Sequence, residues 1–177
     1  MSKTALRKEL AHLDAQQLRE LVIELYEARK EAKEYLEFYV NPDVDTLLAR
    51  FKAVIEKETS RAMRRRTKPR MSRLRKTVKD FSSFNPGPEY VSDLMCHTLE
   101  QLCAVGHMPS VKEPVQLSIA RFLGETLTYI DRNGLFGRYI GRLTSAIDST
   151  GNLFAGSSFR RMLREQIDGF TPVSPLS

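Results

Sequence analysis

Apolar residues recur three and four positions apart along most of the chain, which is the spacing of one face of an α-helix. The clearest stripe runs from Leu18 to Tyr39, opposite a face rich in glutamate. It predicts one amphipathic helix of about seven turns. Asp14 and Gln17 form a capping box at its start. A shorter helix is predicted before it, over Lys3–Leu13.

Proline, glycine and asparagine separate the later helices from one another. The turn Asn41-Pro42-Asp43 begins a helix that pairs with the preceding one as an antiparallel hairpin. The stretch Asn85-Pro86-Gly87-Pro88 is the strongest internal boundary. A later helix begins at a second capping box, Ser110 with Glu113, and ends at Asn133-Gly134.

No run of residues alternates with a period of two over the length of a strand. The sequence therefore predicts an all-α protein of about eight helices, joined as helical hairpins in a bundle or a short superhelical stack. We expect an N-terminal hairpin over residues 1–58, a basic connector with an amphipathic basic helix over 59–84, and a helical bundle over 85–170. Residues 171–177 form a loose tail, and the whole is expected to be one compact domain.

Composition adds a broad class to this picture. The chain has 177 residues, of which 41% are hydrophobic, as in soluble globular proteins. No apolar run approaches the roughly 20 residues that span a bilayer, so no membrane span is expected. The first ten residues contain no apolar segment of the signal-peptide kind. With two cysteines, the expectation is a reduced, cytoplasmic protein.

Charge is concentrated in one stretch, from Thr59 to Lys79, which has no acidic residue. Ten of the 28 lysines and arginines lie there, so the rest of the chain has 18 basic residues against 22 acidic ones. A mildly acidic body therefore carries one basic segment, which is the electrostatic footprint of a polyanion site. The candidate polyanion-binding residues are Arg61, Arg64, Arg65, Arg66, Lys68, Arg70, Arg73, Arg75, Lys76 and Lys79.

The residue types within this stretch indicate how a polyanion would be held. Arginine outnumbers lysine seven to three, which favours bidentate contacts with phosphate. No aromatic residue is interleaved, so stacking on bases is not indicated. Contact with a nucleic acid would then be to its backbone and largely independent of its sequence, whether RNA or DNA. An anionic membrane surface or another acidic protein surface satisfies the same charges.

Pro69 divides the basic stretch into two parts. Before it, residues 61–68 contain few apolar side chains that could be buried. The pattern fits either an extension of the preceding helix or a disordered segment. After it, a helical stripe of Met71, Leu74, Val78 and Phe81 predicts a docked helix with a basic outer face.

Metal binding and catalysis find little support in the sequence. The soft-ligand residues Cys96, His97, Cys103 and His107 lack the close cysteine pairs of zinc sites. On one helix, the two cysteines lie about 10 Å apart, too far for a disulfide. His97 points about 100° away from Cys96, and no histidine–acid arrangement stands out. We expect no metal, no cofactor and no enzymatic activity.

The opening of the chain has the motifs of a packed helical hairpin: Leu6, Leu10, Leu13, Leu18, Leu21, Leu25, Tyr26, Lys33, Tyr35, Leu36 and the turn Asn41-Pro42-Asp43. With these residues it resembles a small bacterial family of unknown function whose members have this general length. The match is good over about the first third. That resemblance implies a helical, cytosolic protein and supplies no activity, cofactor or site.

These observations favour a non-enzymatic helical binding module that engages a polyanion, with the nucleic acid backbone as its partner, through residues 59–79. The alternative is a protein–protein interaction scaffold or a self-associating helical protein. The two differ in where the partner binds. A polyanion would contact the basic stretch, whereas a protein partner would contact an apolar helix surface.

Overall fold

A computed structural model of the protein describes residues 2–106, 108–149 and 156–173. Over these residues the chain forms nine α-helices and no strand, which confirms the predicted all-α class. The predicted tail lies partly outside the described part, from residue 174 onward. The helices are α1 (Lys3–Leu10), α2 (Ala15–Ala28), α3 (Lys30–Val40), α4 (Val44–Arg65), α5 (Met71–Ser82), α6 (Pro88–Gly106), α7 (Glu113–Arg132), α8 (Phe136–Asp148) and α9 (Gly156–Asp168).

The helices belong to two compact units, Met1–Asp43 and Val44–Ser177. This division differs from the expected one, in which residues 1–58 form a hairpin within a single domain. Helix α4 belongs to the second unit, because its buried face, which includes Ile55 and Ala62, packs against α5 and α6. The burial of that face against later helices, and not the turn before α4, decides where α4 belongs.

In the first unit, the capping box at the start of α2 is confirmed. Oδ1 of Asp14 accepts a hydrogen bond of 2.8 Å from the N–H of Gln17, whose own Oε1 accepts one of 2.9 Å from the N–H of Asp14. The single long helix predicted after it is wrong. Arg29 adopts an extended backbone (φ −133°, ψ 116°) between α2 and α3.

The second unit is built around α6, which packs against α4, α5, α7 and α8. Its buried side chains include Leu94, Leu99 and Leu102. Helix α9 closes the other side by packing on α7 and α8. None of the described helices is long and apolar enough to cross a membrane.

The start of α7 corrects a second expectation. The predicted capping box of Ser110 and Glu113 is wrong, because Lys112 precedes the helix and no side chain caps it. The buried hydroxyl of Ser110 has no hydrogen-bond partner in the described part of the chain. Val111 is buried, and its carbonyl accepts a 3.2 Å bond from the amide of Gln116. Packing and this bond therefore set the start of α7.

Candidate functional site

The basic stretch forms a corner between two helices. Helix α4 continues to Arg65, residues 66–70 form a turn, and α5 begins at Met71. The first part of the stretch is therefore helical as far as Arg65. The predicted docked helix after Pro69 is confirmed, since Leu74, Val78 and Phe81 of α5 are buried. The ten predicted residues lie on α4 (Arg61, Arg64, Arg65), in the turn (Arg66, Lys68, Arg70) and on α5 (Arg73, Arg75, Lys76, Lys79).

Three of these arginines converge on one buried acid, Glu58, which is only 3% exposed. Oε1 of Glu58 accepts a 2.6 Å bond from Nη2 of Arg61, and Oε2 accepts a 2.5 Å bond from Nη2 of Arg70. The backbone N–H of Arg70 also donates to Oε1 at 3.2 Å. Nη1 of Arg73 lies 3.9 Å from Oε2. This Glu58 cluster fixes the turn against α4.

The cluster also changes the acidity of Glu58. Hydrogen bonds from Arg70 lower its pKa from 4.5 to about 2, with a further contribution from Arg61, although burial alone would raise it. Glu58 is therefore ionised at neutral pH, and its single negative charge is shared by several guanidinium groups.

Two more of the ten residues, Arg75 and Lys76, also have partners in the fold. Arg75 links α5 to α7, and Lys76 pairs with an acid on α5 itself. Arg75 forms an ion pair with Glu125 of α7, donates to the carbonyl of Ser118 at 3.3 Å, and lies 5.2 Å from the ring centre of Phe122. Lys76 pairs with Asp80, one turn further along α5, at 2.6 Å. These contacts give both residues a structural partner.

The remaining five residues have exposed side chains, which make no ion pair or hydrogen bond within the described part of the chain. Lys79 stands alone on the exposed side of α5. The other four lie close together at the corner, and we call them the corner cations: Arg64, Arg65, Arg66 and Lys68.

Arg66 occupies an unusual backbone position. Its φ is +50°, in the left-handed region that is unfavourable for most residues other than glycine. The N–H of Arg66 donates to the carbonyl of Met63, and the N–H of Thr67 to that of Ala62. These two bonds form a Schellman motif, which ends α4.

Helix α7 ends in the same motif with the residue that the geometry prefers. There Gly134, with φ of +67°, donates to the carbonyl of Asp131, and Leu135 donates to that of Ile130. Gly134 thus holds the position that Arg66 holds on α4. The chain places a charged residue where glycine would fit with less strain.

A second polar site lies where α4, α6 and α8 meet, beside a cleft of 440 Å³ lined in part by Asp93, Arg138 and Arg142. Arg142 forms an ion pair with Asp93 and donates from Nε to Oε1 of Glu100 at 2.5 Å. Lys52 reaches Asp93 at 2.5 Å. Burial opposes ionisation of Asp93, but hydrogen bonds from Lys52 and Arg142 keep its pKa below the ordinary value.

These charges are therefore mutually balanced. Arg138 is also paired, with Glu89 at 2.9 Å. The cleft offers paired cations and paired acids, which suits a network that joins three helices better than a site for a charged ligand.

The described soft-ligand residues, Cys96, His97 and Cys103, belong to no group of side chains that could hold a metal ion. Both cysteines are buried and form no disulfide, and burial raises the pKa of the Cys96 thiol to about 12. Burial also lowers the pKa of His97, against the opposing effect of Glu56, whose Oε1 lies 3.1 Å from Nε2 without forming a hydrogen bond. His107 lies outside the described residues.

The family of this chain follows from its match to a family model over residues 1–158. The chain belongs to DUF6155. This is a family of unknown function, as the resemblance in the opening third predicted, and the match extends far beyond that third. No curated protein and no solved structure matches this DUF6155 chain. The matched range includes the Glu58 cluster and the corner cations.

The acids of the site were missed by the sequence reasoning. Glu58 directly precedes the basic stretch, and its spacing of three from Arg61 is a recognisable helical pair. Its bonds to Arg70, however, depend on the turn between α4 and α5. Glu125 lies 50 residues from Arg75, so spacing gives no signal for that pair.

Proposed function

We propose that this DUF6155 protein is a non-enzymatic binding module that engages the phosphate backbone of a nucleic acid through the corner cations. The observation that carries the proposal is the division of the ten basic residues. The arginines of the Glu58 cluster share Glu58 as their acidic partner. Arg75 and Lys76 also have acidic partners, on α7 and α5. The corner cations are exposed and have none in the described part of the chain.

The stability of α4 explains only part of why the four corner cations lie together. Arg64 and Arg65 lie in the last turn of α4, where a cation gains about 0.3–1 kcal/mol from the helix dipole. Arg66 and Lys68 lie beyond the helix end. Four like charges within five residues also repel one another. A bound polyanion would relieve that repulsion.

The neighbouring Glu58 cluster adds to the positive field. Its one carboxylate faces three guanidinium groups, so the cluster keeps surplus positive charge. The side chains of Arg70 and Arg73 are 51% and 52% exposed, and their charge is felt at the surface. The structural arginines thus support the corner cations electrostatically without leaving their partners.

The chemistry of the corner favours backbone contacts over base contacts. Guanidinium groups bind phosphate oxygens in bidentate fashion. The stretch from Thr59 to Lys79 contains no aromatic side chain on which a base could stack. Binding of this kind depends strongly on salt and weakly on nucleotide sequence.

The test compares two variants of equal net charge. One replaces Arg64, Arg65 and Arg66 with glutamine. The control replaces three exposed, scattered cations, Lys112, Arg121 and Arg132, with glutamine. Fluorescence anisotropy with two RNA and two DNA duplexes of unrelated sequence measures affinity at low salt.

We expect the corner variant to bind every duplex at least about tenfold more weakly, since three exposed contacts contribute about 0.5–1 kcal/mol each. The control should bind nearly as well as the wild type. Equal losses in both variants would mean that only net charge matters. No loss in the corner variant would refute the proposal, as would binding to vesicles of anionic lipid without any binding to duplexes.

A further inference from the structure

The first unit, Met1–Asp43, has no hydrophobic core of its own. None of residues 2–43 is buried. Units of about 40 residues usually need disulfides, a metal or oligomerisation to be stable. This unit has no cysteine to form a disulfide, and its described residues include no group of histidine and acids that could hold a metal ion. Of those three routes to stability, association remains.

Several of its exposed apolar residues share one face of α2, and two more lie one turn apart on α3. Leu18, Val22 and Leu25 of α2 are 36%, 44% and 46% exposed. Their spacing of four and three places them within about 60° of one another around the helix. On α3, Tyr35 and Tyr39 are 40% and 73% exposed, one turn apart. Aromatic and aliphatic side chains exposed in this way mark a protein interaction site.

The distribution of charge within the unit indicates what covers these apolar residues. Helix α1 carries Lys3, Arg7 and Lys8 against one acid, and these three cations have no ion pair in the described part of the chain. Residues 14–43 carry eight acids against four bases. One unit therefore holds a basic end and an acidic remainder. A two-fold interface requires such a self-complementary surface, because each surface meets its own copy.

We propose that Leu18, Val22 and Leu25 of α2, with Tyr35 and Tyr39 of α3, form a dimer interface with a second copy of this chain. Apolar contact supplies the driving force, and the basic α1 of one copy faces the acidic helices of the other. This inference is independent of nucleic-acid binding, although a dimer would present two basic corners to one polyanion.

The test is the mass of the full chain in solution, measured by sedimentation equilibrium across micromolar concentrations. The chain has a mass of 20.3 kDa, and we expect a species of twice that mass. Replacing Leu18 and Leu25 with glutamate should return the protein to a monomer. The control is Leu117→Glu, at a leucine of α7 that is 50% exposed, and it should leave the dimer intact.

Several outcomes would overturn the proposal. One is a wild-type protein that stays monomeric at every concentration. Another is a variant with glutamate at Leu18 and Leu25 that is still a dimer. The third is a control variant, Leu117→Glu, that is monomeric as well. Should the glutamate variant lose helix by circular dichroism, Leu18→Ala with Leu25→Ala replaces it and should weaken the dimer at least about tenfold. The variant without Arg64, Arg65 and Arg66 should remain dimeric, so a failure of nucleic-acid binding is distinguishable from a failure of this inference.

Discussion

Arg61 and Arg64 are neighbours on α4, one turn apart, and their side chains have different surroundings. Arg61 is bonded to the buried carboxylate of Glu58, whereas Arg64 is exposed and has no partner within the described residues. A count of basic residues treats them alike. Whether a cation of this stretch is paired or exposed depends on Glu58, which lies just outside the stretch, and on the turn that brings Arg70 to Glu58. The sequence predicted a basic stretch as the candidate site, but not its division into cations that pair with acids of the fold and cations that are exposed.

Glu58→Gln should lower the stability of the protein at neutral pH and leave it unchanged at strongly acidic pH. The folded pKa of Glu58 is lowered from 4.5 to about 2, so its contribution is complete above pH 4.5 and disappears as pH falls through about 2. A shift of that size corresponds to about 3 kcal/mol. Denaturant unfolding of both proteins, followed from neutral pH to pH 2, measures the difference. A difference that does not depend on pH would contradict this assignment.

Arg66→Gly should stabilise the fold by about 0.5–1 kcal/mol and weaken binding to nucleic acid. Glycine removes the cost of the left-handed backbone, about 1–2 kcal/mol. Part of that gain is offset, because glycine makes the unfolded chain more flexible and so increases the entropy lost on folding. The measurement is a denaturation midpoint together with a duplex affinity.

Arg66→Gln is the matched control for that substitution. It removes the same charge but keeps a side chain at φ of +50°, so it should weaken binding as much without stabilising the fold. If Arg66→Gly leaves binding unchanged, the guanidinium of Arg66 has no part in the site.

At the scale of the helix, the sequence was most informative where breakers and stripes coincide. Pro69 and the stripe that follows it predicted α5, and Asn133-Gly134 predicted the end of α7. The break between α2 and α3 could not be predicted in this way, because residues 1–41 contain neither proline nor glycine. The N–H of Arg29 still donates to Leu25, and its carbonyl still accepts from Lys33. One extended residue is therefore enough to divide the helix.

Arg75→Ala should destabilise the second unit by about 1–2 kcal/mol, because it removes an ion pair, a hydrogen bond to a carbonyl and a ring contact between α5 and α7. Lys79→Ala, on the exposed side of the same helix, should change stability by less than about 0.5 kcal/mol. Thermal unfolding compares the two. Equal effects would mean that Arg75 does not hold α5 in place.

At the scale of the whole molecule, the two units differ in both burial and charge. Every buried hydrophobic side chain of the described residues lies from Leu47 onward. The first unit has seven basic and nine acidic residues, and the second has 21 and 13. Sequence patterns predicted the all-α class because periodicity is local. They could not predict that α4 belongs with α5 and α6, since that depends on contacts between distant segments.

The salt dependence of duplex binding tests the role of the corner cations most directly. For the wild type, the logarithm of the association constant should fall linearly with the logarithm of salt concentration. In the variant with Arg64, Arg65 and Arg66 replaced by glutamine, we expect the magnitude of that slope to be smaller by about 3, because each lost contact with a duplex phosphate removes about 0.9. The scattered control should keep the wild-type slope. An unchanged slope in the corner variant would show that these arginines do not contact phosphates.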